Sequence, residues 1–182
     1  MHSCPLDSGI RPNTMEPSTA LSASAQIAIA ISGFAGVVGV FRTESVHDWG
    51  LVERFWLRLL LLNSILPLAF SMVGLFFLAV APDSPAMWRW CSGLATLVMI
   101  PYATLIVRAV VGFAPGQVEA AGGNKFTSYT LVAILTVVCL LQLCNVAILA
   151  VFWPFFGAIV ALLLGAMYQF VRLVLTPQKR DT

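Results

Sequence analysis

Long apolar runs alternate with short polar segments along most of this chain. Four apolar stretches are evident, at about 21–41, 56–80, 88–112 and 127–175. A membrane-spanning helix needs about 20 apolar residues, so each of the first three stretches predicts one span. The fourth stretch would form a helix of roughly 70 Å, against a hydrocarbon core of about 30 Å. The pattern therefore predicts an all-α integral membrane helical bundle in which the last stretch is interrupted.

Pro154 marks the interruption, because proline is disfavoured inside a helix but suits its first turn. We therefore predict two helices here, at about 127–147 and 154–175, which brings the total to five transmembrane helices. Four spans plus a re-entrant or interfacial segment is the second interpretation. The aromatic residues around Pro154 are expected at the depth where such side chains collect.

The polar segments complete the predicted organisation. Residues 1–20 read as a disordered polar tail, 21–175 as the transmembrane bundle, and 176–182 as a short basic cytoplasmic tail. In the first loop, Asp48 is a possible N-cap for the second helix. That helix either starts along the membrane surface and continues into the span, or is an ordinary span with an interfacial end.

The distribution of Lys and Arg predicts the orientation, because these residues accumulate in cytoplasmic loops. With five spans, eight of the ten basic residues fall on one side. They are Arg42, Arg54, Arg58, Arg108, Lys125, Arg172, Lys179 and Arg180. We therefore expect the N-terminus outside and the C-terminus inside a bacterial cytoplasmic (inner) membrane.

Composition supports the membrane assignment and argues against catalysis. The chain is 59% hydrophobic and only 10% charged, whereas soluble domains carry about 25% charge. No acidic residue or histidine falls deep inside a predicted span, although buried ionisable groups usually mark proton pathways and active sites. No nucleotide-binding, zinc-binding or catalytic-triad motif is present. We predict a protein that is not an enzyme, has no cofactor or metal and does not bind nucleic acid.

Polar and kink-forming residues in the first three spans suggest two interpretations. Either they surround a small central site or narrow pore, as bent helices do in transporters, or they only hold helices together. The candidate residues for a solute path or kink are Ser32, Gly33, Asn63, Pro67, Pro101 and Arg108. Arg108 either attracts an anion, pairs with a nearby amide, or extends to the lipid headgroups.

Small residues recur every fourth position in two spans, which indicates close helix packing. The predicted helix-packing residues are Ser24, Ala28, Ser32 and Gly36 in the first span, and Gly157, Ala161 and Gly165 in the fifth. The first span is expected either to pack on the fifth or to form an interface with another subunit.

The predicted partners follow from these features. They are the lipid bilayer, including anionic lipids, and either further copies of the chain or another membrane protein. A basic rim is the predicted lipid contact. It consists of Arg54, Arg58, Arg172, Lys179 and Arg180.

Two sequence motifs also suggest a resemblance. The run "SGFAGVVGVFR", followed by Trp49 and "VERFWLRLLL", and the later run "MYQFVRLVL" resemble a group of small bacterial multi-pass membrane proteins. The resemblance covers most of the chain and implies a membrane bundle, but no activity. The predicted role is a structural or accessory membrane component that assembles through its small-residue helix faces. The alternative is a small channel or carrier subunit for an ion or small solute, with a path near the kinked midplane of spans 1–3.

Overall fold

The computed structural model describes residues 16–41, 51–82, 84, 86–112 and 125–175. The predicted tails, Asp48, Lys179 and Arg180 lie outside these residues, except for the end of the N-terminal tail. In the described part every regular element is a helix. The helices are α1 (Pro17–Phe41), α2 (Leu51–Val80), α3 (Met87–Gly112), α4 (Lys125–Cys144) and α5 (Phe152–Leu175), with a π-helical turn (Asn145–Leu149) after α4.

Among the described residues, five helices are long and apolar enough to cross a membrane, which confirms the predicted all-α bundle of five candidate spans. These spans run from Pro17 to Val37, Arg54 to Val80, Met87 to Gly112, Phe126 to Leu149 and Phe152 to Val174. Pro67 and Pro101 lie inside α2 and α3, and neither proline ends its helix.

The first helix begins earlier than the sequence predicts. α1 starts at Pro17, so residues 17–20 belong to a helix and not to the predicted disordered tail. Proline suits this first position because its missing N–H would have no helical partner there, and Ala20 is already buried. α2 starts at Leu51, before the predicted span at 56–80, so the residues that precede the span belong to the same continuous helix of 30 residues.

The break between α4 and α5 comes before Pro154, which occupies the first turn of α5. The chain turns at Ala150, which adopts a left-handed backbone conformation with φ 53°. Asn145 holds this turn closed. Its Nδ2 donates to the Val151 carbonyl at 3.0 Å and its Oδ1 accepts from the Val151 N–H at 3.0 Å. An amide thus satisfies backbone groups that have no partner where two helices separate.

Consecutive helices run antiparallel. Near one end of the α1–α2 pair, Leu21 contacts Gly74, while Ala35 packs with Leu60 farther along. The ends at Phe41, Leu51, Gly112, Lys125 and Leu175 therefore lie together. We call this the basic end, because Arg54, Arg58, Arg108 and Arg172 are close to it.

α2 and α5 form the centre of the bundle, with α1 on one side and α3 and α4 on the other. Gly74 allows this close packing, since a Cβ there would lie 2.7 Å from Leu21 Cδ1 and 3.1 Å from Phe155 Cε1. Phe155 is fully buried beside Phe70 and Trp88. Several aromatic residues of the turn region therefore pack into the core, while Trp153 stays exposed.

Candidate functional site

A buried polar cluster joins α2, α3 and α5 in the half of the bundle nearer the basic end. The Tyr102 hydroxyl donates to Oδ1 of Asn63 at 2.5 Å. Nδ2 of Asn63 donates to Oε1 of Gln169 at 3.2 Å. All three side chains are at most 7% exposed. We call this group the Asn63 cluster, and it forms a polar link between three helices in otherwise apolar surroundings.

Gly165 makes the position of the Asn63 amide possible. It lies one turn before Gln169 on α5, and a Cβ added there would be 3.3 Å from Asn63 Nδ2. That contact is tight enough to require the amide to move by a few tenths of an ångström. The close approach of α5 to α2 therefore depends on a small residue, as is usual between membrane helices.

A partly enclosed cavity of about 60 Å³ lies beside the Asn63 cluster. α2, α3, α4 and α5 all contribute to its wall. The wall is mostly apolar, with the three cluster residues and Ser128 as its amide and hydroxyl groups. No Asp, Glu, Lys, Arg or His is among the described residues that line it. The cavity therefore favours an uncharged occupant, since an isolated charge would lose its hydration there.

Trp56 lines the cavity and contacts Arg172 at the basic end. Its indole Nε1 is buried and has no hydrogen-bond partner in the part of the chain that the structure describes. The Arg172 guanidinium carbon lies 4.5 Å from the centroid of the Trp56 ring, which is a cation–π contact. Arg172 itself does not line the cavity.

The residues predicted for a solute path do not come together around one site. Asn63 lines the cavity, and Pro67 is buried one turn away on α2. Gly33, Pro101 and Arg108 are exposed, and Ser32 is half-buried. α1 and α3 make no extended contact because α2 and α5 lie between them. Within the described residues, these six positions therefore do not surround one site between spans 1, 2 and 3. Arg108 is exposed and does not line the cavity, which is consistent with an arginine that extends to the headgroups.

The predicted small-residue face of α1 is not one contact surface, because its first residues are buried and its last is exposed. Ser24 and Ala28 are buried, Ser32 is half-buried and Gly36 is exposed. Twelve residues of an α-helix end about 120° away from the starting direction, so Ser24 and Gly36 cannot face the same neighbour. The buried face instead continues through Ile31 to Ala35. A Cβ at Gly33 or Gly36 would meet open space.

The fifth-helix residues also differ in their surroundings. Gly165 packs closely against Asn63, and Ala161 lines the cavity. Gly157 is half-buried, and a Cβ there would meet no atom within 4 Å. The predicted close approach of helices therefore involves Gly165 but not Gly157.

Three residues of the predicted basic rim belong to the described region, and all three lie at the basic end. Arg58 is exposed, whereas Arg54 and Arg172 are half-buried. Arg54 Nε is buried without a hydrogen-bond partner in the described region, and Arg172 lies over Trp56. Arg58 is thus accessible to headgroups, while Arg172 is held by the protein.

Sequence reasoning missed Tyr102 and Trp56 as parts of the site. Tyr102 follows Pro101 and sits among apolar residues, so it reads as an ordinary span residue. Its helical spacing offers one signal, because Met99, Tyr102 and Ile106 recur at positions of one helix face and all three line the cavity.

No protein-family model, curated protein or solved structure matches this chain. The resemblance to small bacterial membrane proteins therefore rests on its sequence motifs alone. The five apolar helices of the described region indicate a multi-pass membrane protein.

Proposed function

We propose that the chain is a non-enzymatic component of a bacterial cytoplasmic (inner) membrane, with its N-terminus outside and its C-terminus inside. It assembles with further copies of itself or with another membrane protein through the outward face of α1. Its role is structural or accessory. The clustering of Lys and Arg at one end supports the orientation, and the lack of acidic residues and histidines deep in the spans supports a role without catalysis.

The observation that carries this proposal is the outward face of α1. Gly33 and Gly36 are exposed, and neither has a neighbouring atom within 4 Å of an added Cβ. Gln26 is also exposed and lies seven residues before Gly33, so the two share a helix face. Small residues and amides on one face are the usual means by which helices associate in lipid. Bulky apolar side chains would serve as well if this face only met lipid.

We expect the double variant Gly33→Leu and Gly36→Leu to separate the assembly. The native mass of the full chain, extracted in a mild detergent with lipids and partners retained, measures this directly. The wild type should show a complex of two or more chains, and the variant a larger monomer fraction. Ala133→Leu on the exposed side of α4 is the matched control and should leave the mass unchanged. A monomeric wild type, or a variant with the wild-type mass, would refute the proposal.

A channel or carrier subunit for an ion or small solute is the second candidate function. The cavity beside the Asn63 cluster is the observation that favours it, since binding sites within helix bundles have this character. The same mass measurement separates the two candidates. A closed ring of copies favours a channel, whereas a dimer or a complex with another protein favours the accessory role.

A further inference from the structure

The cavity beside the Asn63 cluster is long and follows the direction of the helices. Its wall runs along α2 from Phe55 to Asn63 and along α4 from Ser128 to Val138. At 1.5 Å per residue these two segments are about 12 and about 15 Å long. One leaflet contributes about half of the 30 Å hydrocarbon core of a bilayer. The wall therefore begins at the basic end and covers about the depth that one acyl chain occupies.

The inner surface of the cavity is hydrocarbon in character. Tyr102 and Gln169 both hydrogen-bond to Asn63, and Ser128 also has a partner within the protein. The indole nitrogen of Trp56 is buried. A polar occupant would therefore give up its hydration for few hydrogen bonds. Cavities with apolar walls bind apolar molecules, so this wall favours a hydrocarbon occupant.

The volume admits a segment of one chain. A buried water needs roughly 10–15 Å³ of this kind of volume, so about 60 Å³ holds about five groups of the size of water or methylene. Ile134 lines the cavity and is 48% exposed, so the wall beside it also borders the surroundings of the bundle, which in a membrane are acyl chains. A chain that enters here replaces a void with van der Waals contacts, and such packing drives association within a bilayer.

Positive charge lies beside the part of the wall nearest the basic end. The Arg172 guanidinium carbon is 4.5 Å from the ring centroid of Trp56, which lines the cavity. Arg54 is half-buried and directly precedes Phe55, another lining residue. Guanidinium groups bind phosphate, and basic residues at a membrane surface attract anionic lipids. An acyl chain in the cavity therefore has its own head group next to these arginines.

We propose that the cavity binds one acyl chain of an anionic phospholipid from the leaflet at the basic end, with the head group beside Arg54 and Arg172. The chain follows the helices past the Asn63 cluster toward Val138. It fills the space between α2 and α4, whose described residues make no extended contact with each other. The proposal goes beyond the proposed function and does not depend on assembly through α1.

Photo-crosslinking of the full chain in lipid nanodiscs tests the proposal. The probes are two phosphatidylglycerols that carry a diazirine in one acyl chain, either near its carboxyl end or near its methyl end, in a background of phosphatidylcholine. Crosslinked residues are mapped by mass spectrometry. We expect the first probe to label Phe55 or Trp56 and the second to label Val138 or Ala161. Added unlabelled phosphatidylglycerol should displace both probes, and added phosphatidylcholine should not.

Cavity-filling variants distinguish this site from lipid that only surrounds the bundle. Ala161→Leu fills the cavity from α5 and Val110→Phe fills it from α3, so each should remove most of the labelling of the lining residues. Two variants are used because a larger side chain at one position can prevent folding. Ala133→Leu, on the exposed side of α4, is the matched control and should leave the labelling unchanged.

The Arg172→Gln variant tests the head-group contact. It removes the charge over Trp56 and leaves the apolar wall intact. We expect the preference for phosphatidylglycerol over phosphatidylcholine to fall about 5-fold, as for the loss of one basic residue near a membrane surface. Arg108→Gln is the matched control, because Arg108 belongs to the same end but is exposed and does not line the cavity. It should change the preference less than Arg172→Gln does.

Three results would overturn the proposal. The first is labelling confined to outward-facing residues, since the lipid would then only surround the bundle. The second is equal labelling in the cavity-filling variants and in Ala133→Leu, which would place the chain elsewhere. The third is equal displacement by the two phospholipids, or a preference that Arg172→Gln leaves unchanged, which would show that the arginine does not recognise the head group.

Discussion

Replacing Asn145 with Leu is expected to lower the free energy of unfolding by about 2–4 kcal/mol. Nδ2 of Asn145 donates to Ser92 Oγ at 2.6 Å and to the Val151 carbonyl, and Oδ1 accepts from the Val151 N–H. Leucine has a similar shape but removes all three bonds, and it leaves the backbone polar groups of Val151 without that partner. The unfolding free energy can be measured by titration with sodium dodecyl sulfate in mixed micelles.

Ala150→Gly is the matched control for this substitution, because it changes the same turn without removing a hydrogen bond. Ala150 has φ 53°, a conformation that glycine adopts without steric cost. The control should be as stable as the wild type, or up to about 1 kcal/mol more stable. An Asn145→Leu variant within about 0.5 kcal/mol of the wild type would show that the turn does not depend on the amide.

The second large effect is expected at the Asn63 cluster. Asn63→Leu removes the acceptor of Tyr102 and the donor to Gln169, and both of those side chains are buried. We expect a loss of about 1–3 kcal/mol, since interhelical hydrogen bonds in membranes contribute about 0.6 kcal/mol on average and unpaired buried groups cost more. The same detergent titration measures this loss.

A double-mutant cycle with Tyr102→Phe isolates the bond between the two side chains. If the hydrogen bond exists, the double variant should lose about 1 kcal/mol less than the sum of the single variants. Tyr129→Phe, on an exposed tyrosine of α4, is the control and should add to Asn63→Leu without coupling. Additive losses for Asn63→Leu and Tyr102→Phe would contradict the observed pairing.

The number of spans could be predicted, because it follows from the lengths of the apolar runs and the positions of the charges along the sequence. Each apolar run is long enough for one span, and the length limit forces the run 127–175 to break. The position of the break was less predictable. Proline is tolerated anywhere in a first turn, whereas the turn is closed by Asn145, whose bonds to Val151 depend on the folded backbone.

The site was less predictable than the fold, because it depends on how each helix is rotated. Asn63 and Gln169 could be placed at similar depth from the sequence, but not on facing surfaces. The meeting of Asn63 with Gly165 requires the packing of α2 on α5. The repeat of small residues at every fourth position from Ser24 to Gly36 wrongly suggested a single contact face. Over those twelve residues the helix face turns by about 120°.

The central claim is that α4 and α5 are two separate spans and that the chain crosses the membrane five times. Labelling of single cysteines with a membrane-impermeant maleimide tests it most directly. The starting variant has Cys4, Cys91, Cys139 and Cys144 replaced by alanine. Single cysteines are then placed by Val151→Cys, Ala86→Cys and Thr182→Cys, and each variant is labelled in intact cells and in permeabilised cells.

Five spans place residues 86 and 151 on one side of the membrane and residue 182 on the other. With the proposed orientation, the cysteines at 86 and 151 should react in intact cells, and the cysteine at 182 only after permeabilisation. Reaction of the cysteines at 151 and 182 on the same side would contradict the five-span bundle and favour four spans with a re-entrant segment.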